Sequence, residues 1–98
     1  KPGEKACDVD RAAREVIQRA GYGSFFTHRL GHGIGLDVHE PPFISAISPL
    51  SLEPGNVFSC EPGIYLPDRF GIRIEDLLVM GENGVQSLNT LSKELTIL

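Results

Sequence analysis

No apolar run in this 98-residue chain comes near the roughly 18 residues that a membrane-crossing helix needs, so no segment is expected to span a bilayer. Positive charge is not in excess either. Nine Lys and Arg stand against 13 Asp and Glu, a net charge of -4, which leaves no basic footprint for nucleic acid. Cysteine is scarce: Cys7 and Cys60 make no disulfide framework and lack the spacing of a zinc site, which predicts reduced thiols in a cytoplasmic protein. No charged, then apolar, then small-residue leader opens the chain, so no secretory signal is expected. Linkers, internal repeats and low-complexity stretches are also missing. The first residues, Lys-Pro-Gly-Glu-Lys, read as the interior of a longer protein. What remains is ordinary globular material, 41% hydrophobic and 22% charged, enough for one small domain or a piece of a larger one.

Apolar side chains at Val9, Ala12, Ala13, Val16, Ile17 and Ala20 form one stripe at helical spacing, which predicts a helix over residues 8–20. Asp8 suits its N-cap and Gly21 its left-handed stop. From Gly21 to Pro42 glycine is too frequent for a helix, and residues 40–55, with Pro41, Pro42, Pro49 and Pro54, read as a loop. Strands are predicted at 56–61, 63–67 and 72–80, with a short one at 85–88; the tail, 92–98, is ambiguous.

Histidine is the other scarce residue. All three, His28, His32 and His39, lie in "HRLGHGIGLDVHE", interleaved with Gly31, Gly33 and Gly35. Those glycines argue against a helical His-x-x-x-His pair and let the backbone approach an ion or ligand closely. In a strand over 72–80, Arg73 and Glu75 share one face, and Ile72 and Ile74 lie on the other as candidate core. A carboxylate among strand residues must face water, pair with arginine or hold a metal, because burying it alone costs several kcal/mol. Glu61 raises the same question at the end of a hydrophobic run, just before Pro62. One imidazole and two carboxylates form a mixed N/O set that suits Mn²⁺, Fe²⁺, Co²⁺ or Zn²⁺. Solvated glutamates and ordinary polar histidines remain the plainer reading.

Two stretches carry a resemblance: "THRLGHGIGLDVHEPPFIS" and "LEPGNVFSCEPGIYLPDRFGIRIEDLLVM". They resemble the second half of the catalytic domain of the prolidase/aminopeptidase P family, the pita-bread metallopeptidases. The resemblance runs essentially from Lys1 to Leu98, so residues 1–98 are expected to be one partial domain, its C-terminal portion. It implies an α+β fold with a curved antiparallel sheet and a covering helix. It implies two divalent ions, Mn²⁺ or Co²⁺ and sometimes Zn²⁺, and hydrolysis of Xaa-Pro bonds in proline-containing peptides. Carried over by position, His32, Glu61 and Glu75 look like metal ligands, with Glu61 also the acid/base and Glu75 the bridging carboxylate. His28 and His39 match histidines on the substrate side, His39 with a catalytic part. Arg73 resembles an arginine beside the metal carboxylates and substrate. Relatives are often homodimers.

The resemblance also implies two aspartate ligands on strands upstream of the helix. Asp8 and Asp10 do not match them, and Asp37, Asp68 and Asp76 are offset from the motifs. Three of five ligands are therefore expected here, and these residues alone are expected to be inactive. The alternatives on the same fold are a metal-free, creatinase-like hydrolase and a non-enzymatic peptide-binding module. The first branch replaces some of these ligands, and the second degrades the set.

Overall fold

The computed structural model describes all of residues 1–98. It is an α+β arrangement of one helix and two antiparallel sheets. Helix α1 spans Ala6–Arg19. A 3-10 turn, Gly23–Phe25, leads to β1 (Gly31–Gly33), β2 (Glu40–Ile44), β3 (Val57–Cys60), β4 (Gly63–Leu66), β5 (Phe70–Arg73), β6 (Asp76–Gly81) and β7 (Gly84–Ser87). The larger sheet has the order β2-β1-β3-β6-β7, and β4 and β5 form a separate hairpin.

The helix begins two residues before its predicted start. Lys5 is its N-cap and makes no side-chain capping bond; Asp8 lies in the first turn and pairs with Arg11 at 3.0 Å. The stop is as expected. Gly21 sits at φ 91°, its N–H donates to the Gln18 carbonyl and the Tyr22 N–H to the Ile17 carbonyl. These are the two bonds that close a helix C-terminus on a left-handed glycine. The inward face differs from the predicted stripe. Ala6, Val9, Ala13 and Ile17 meet the core, whereas Val16 is 64% exposed, because fully buried Asp10 occupies the inward side.

The core lies between α1 and the larger sheet, built from Ala6, Phe26, Leu30, Ile44, Leu52, Phe58 and Met80. Strand β3 is its centre: Phe58 pairs across to Leu78 on β6, and Gly33 of β1 faces it from the other side. Glycine is required at Gly31, where a Cβ would collide with the Ser59 carbonyl, and at Gly33, where it would meet the carbonyls of Glu40 and Pro41. The close approach they permit is to neighbouring strands.

Residues 40–44, predicted as loop, form edge strand β2. Its ladder to β1 shifts register between His32 and Gly33, whose partners are Phe43 and Glu40. Pro41 and Pro42 fall in that gap, where their missing N–H groups cost no ladder bond. The predicted 72–80 strand is in fact two strands in different sheets, β5 and β6, with Ile74 and Glu75 in the crossing between them. Ile72 and Ile74 are accordingly not core; they are 53% and 43% exposed. No helix is long and apolar enough to cross a membrane.

Candidate active site

His32 sits at the middle of β1 and is 6% exposed. Its peptide N–H donates to Ser59 Oγ at 3.0 Å, which ties it to β3. Its Nδ1 lies 3.0 Å from the Gly33 carbonyl oxygen. A carbonyl only accepts, so Nδ1 carries the proton, and in the neutral ring Nε2 keeps its lone pair. That Nε2 lies 3.4 Å from Glu61 Oε2.

Glu61 follows the last residue of β3 and is held by its own peptide, whose N–H donates to the Leu30 carbonyl at 2.7 Å. Its side chain is largely buried, with Arg73 Nη1 3.7 Å from Oε1. The Glu75 carboxyl reaches it from the crossing between β5 and β6. Partial burial pushes the Glu75 carboxyl above the usual carboxylate range, and the Glu61 charge and a hydrogen bond with Glu61 push further; Arg73 and His32 oppose the shift. His32, Glu61 and Glu75 are thus joined in series. No group of three or more His, Cys, Asp or Glu side chains is arranged to hold a metal ion within these residues alone.

The other two histidines take different positions. The exposed ring of His39 lies against His32, centroids 4.3 Å apart. His28 lies further along the cavity with Nδ1 2.6 Å from the Arg29 carbonyl and Nε2 2.8 Å from the Tyr65 hydroxyl. The same carbonyl argument puts the proton on Nδ1, so in the neutral ring Tyr65 donates to Nε2. Tyr65 was missed in the sequence, where only its place on β4 marked it.

An open cavity of about 940 Å³ connects these groups; Thr27, His28, His32, His39, Phe43, Glu61, Tyr65 and Arg73 line it, and Glu75 does not. Cys60 is half-buried, and burial, with help from the charges of Asp76 and Glu61, pushes its thiol up, which leaves it a neutral thiol at neutral pH. Both cysteines are free.

Behind the cavity is a pair that sequence reading did not single out. Asp10 Oδ2 accepts from Arg14 Nε at 2.9 Å, and Oδ1 accepts from Arg14 Nη2 at 3.1 Å and from the Leu30 N–H at 3.0 Å. Arg14 also donates to the carbonyls of Phe26 and His28, each at 2.9 Å, and its guanidinium lies 4.1 Å over the Phe26 ring. The sequence signal was an acid and a base four residues apart on a helix, which also describes an ordinary surface pair.

Residues 1–82 match Metallopeptidase family M24, and the chain belongs to that family. It is 52% identical over 97 residues to the probable dipeptidase PepE of Mycobacterium tuberculosis, covering 99% of this chain and 26% of the relative. It is 50% identical over 98 residues to an Xaa-Pro dipeptidase of Lactobacillus delbrueckii subsp. lactis, covering 100% of this chain and 27% of the relative. Of solved structures, a dipeptidase from Pyrococcus horikoshii OT3 matches with a TM-score of 0.97 at 51% identity, over 100% of this chain and 28% of that one. The α+β architecture is therefore part of a pita-bread peptidase fold, and the chain spans about a quarter of the length of the relatives it matches.

Proposed function

We propose that the protein containing these residues is a divalent-metal peptidase that hydrolyses Xaa-Pro bonds, and that residues 1–98 are the C-terminal part of its catalytic domain, inactive alone. The observation that carries this reading is the contact between His32 and Glu61. With Nδ1 committed to the Gly33 carbonyl, Nε2 presents a lone pair to a carboxylate oxygen 3.4 Å away, and a second carboxyl, Glu75, crowds the first. Acceptors converging in this way call for a cation; one imidazole with two carboxylates suits Mn²⁺, Fe²⁺, Co²⁺ or Zn²⁺, and the family resemblance narrows these to Mn²⁺ or Co²⁺, with Zn²⁺ next. His32, Glu61 and Glu75 would hold two such ions together with aspartates from outside residues 1–98. Bound there, the ions would polarise the scissile carbonyl and lower the pKa of the attacking water.

The side chains supply the rest. Glu61 accepts the proton of the attacking water and returns it to the departing proline nitrogen as the C–N bond breaks. His39, exposed beside His32 with no hydrogen-bond partner among these residues, donates to the oxyanion that forms on the carbonyl. By analogy with oxyanion-hole donors such a bond lowers the barrier by about 2–4 kcal/mol. His28, fixed by Tyr65, orients the peptide across the cavity. Arg73 offsets the charge of Glu61 on the substrate side. The net charge of -4 offers no footprint for nucleic acid, and a cytoplasmic homodimer is the assembly we expect.

The full-length protein should cleave an Xaa-Pro dipeptide, lose that activity on chelation and regain it with Mn²⁺ or Co²⁺, while residues 1–98 alone show no turnover. Activity indifferent to chelation, or chelator-sensitive turnover by residues 1–98 alone, would overturn the reading.

A further inference from the structure

Buried ion pairs are a poor route to stability, because apolar side chains of similar volume do as well or better. Asp10 is nonetheless 0% exposed and paired with Arg14 beside an apolar core, and the other buried polar side chains, His32 and Ser59, are uncharged or belong to the candidate site. The pair spends its remaining hydrogen bonds in one place. Arg14 holds the carbonyls of Phe26 and His28, and Asp10 holds the N–H of Leu30. All three peptides belong to the segment that leads into β1 and His32.

Leu30 is the pivotal member. Its N–H points at Asp10 and its carbonyl accepts the N–H of Glu61 at 2.7 Å. The β3–β6 ladder ends at the Cys60–Asp76 pair, so Glu61 lies beyond it and takes its backbone anchor from Leu30. The backbone of one residue, Leu30, thus links helix α1 to the residue that carries the acid/base role. From this connectivity we infer that Asp10 and Arg14 are positioning residues for hydrolysis, setting Glu61 through Leu30 and His28 through its carbonyl. The inference rests on the peptidase reading above. Neither side chain touches substrate; both act through peptide groups, and a misplacement of about 1 Å at a reacting group costs on the order of a hundredfold in rate.

The test uses the full-length, metal-loaded protein, with steady-state kinetics on an Xaa-Pro dipeptide, urea unfolding, and hydrogen exchange at the Leu30 and Glu61 amides. Arg14→Lys keeps the charge but not the fork that reaches Asp10 and two carbonyls. Its kcat should fall on the order of tenfold or more with KM nearly unchanged, and both amides should exchange faster while the protein stays folded. Asp10→Asn retains an acceptor for Leu30 and should lose less. The double variant Asp10→Leu/Arg14→Met restores an apolar core in place of the pair, so its unfolding midpoint should recover while kcat stays low. A double variant that recovers both stability and kcat makes the pair structural only and overturns the inference. So does an Arg14→Lys enzyme whose kcat loss matches its unfolded fraction, or whose Glu61 amide exchanges at the wild-type rate. A wild-type protein that does not cleave Xaa-Pro substrates would sink the peptidase reading instead, and the amide exchange of Arg14→Lys would still decide whether Leu30 and Glu61 are held as described.

Discussion

Replacing Glu75 with glutamine should stabilise the metal-free protein at neutral and alkaline pH and weaken the metal-loaded one. The Glu75 carboxyl sits above its ordinary value of 4.5, through partial burial first and then through the charge of Glu61. A group raised on folding favours the folded state while protonated, below 4.5, and loses that contribution as pH climbs through its raised value. Two carboxylates about 4 Å apart repel by roughly 1 kcal/mol in water and roughly 4 kcal/mol at an effective dielectric of 20. Glu75 is exposed, so the lower figure applies, and the gain for Glu75→Gln should be about 1 kcal/mol at pH 8 and near zero at pH 4. Urea unfolding of the chelated full-length protein at the two pH values reads this directly. With metal added at about 100 times its Kd, the wild type should gain about 2.7 kcal/mol, and the variant less. If chelated Glu75→Gln is less stable than wild type at pH 8 by as much as at pH 4, the crowding of Glu61 and Glu75 is not the origin of the shift.

Packing and sheet geometry give further expectations for the same full-length protein. Phe58→Ala removes the ring at the centre of the core, where it is 2% exposed, and should cost about 3–5 kcal/mol in denaturant unfolding. A loss under 1 kcal/mol would mean that β3 is not the centre of the core. Gly31→Ala sets a methyl group against the Ser59 carbonyl and should cost about 1–3 kcal/mol, with Xaa-Pro hydrolysis reduced because β1 carries His32. Wild-type stability for Gly31→Ala would rule out the tight β1–β3 approach.

The parts of the fold that could be read in advance are those whose signal is local. The stop at Gly21 needs only a glycine after an amphipathic stretch, and β3 and β4 announce themselves by β-branched and aromatic residues between Gly and Pro. The misreadings arise where tertiary position decides. Pro41 and Pro42 look like loop residues until they fall at a register shift on an edge strand. The run from Ile72 to Met80 looks like one strand because the change of sheet at Ile74 and Glu75 leaves no mark in the hydrophobic pattern. Nothing local marks Asp10 as buried, since its partner Leu30 is twenty residues away and adjacent only after folding.

The candidate site divides along the same line. Alternation set Glu61 and Glu75 on strands, whereas they lie just beyond β3 and in the crossing from β5 to β6, and it could not bring them together, since the β4–β5 hairpin separates them. Their association with His32 came from resemblance to a family, and the contacts of His32 with Glu61, and of Glu61 with Glu75, are what the folded chain adds. The histidine segment proves heterogeneous: a buried imidazole tied to Gly33, an exposed one tilted against it, and a third engaged by Tyr65.

The central claim is that His32, Glu61 and Glu75 are metal donors, and elemental analysis of the purified full-length protein tests it most directly. The account predicts two equivalents of a transition metal per chain in the wild type, and a loss of bound metal, together with Xaa-Pro hydrolysis, in folded Glu75→Ala. A wild-type protein free of transition metal that still cleaves Xaa-Pro dipeptides, or a Glu75→Ala protein with full metal content and full activity, would contradict it.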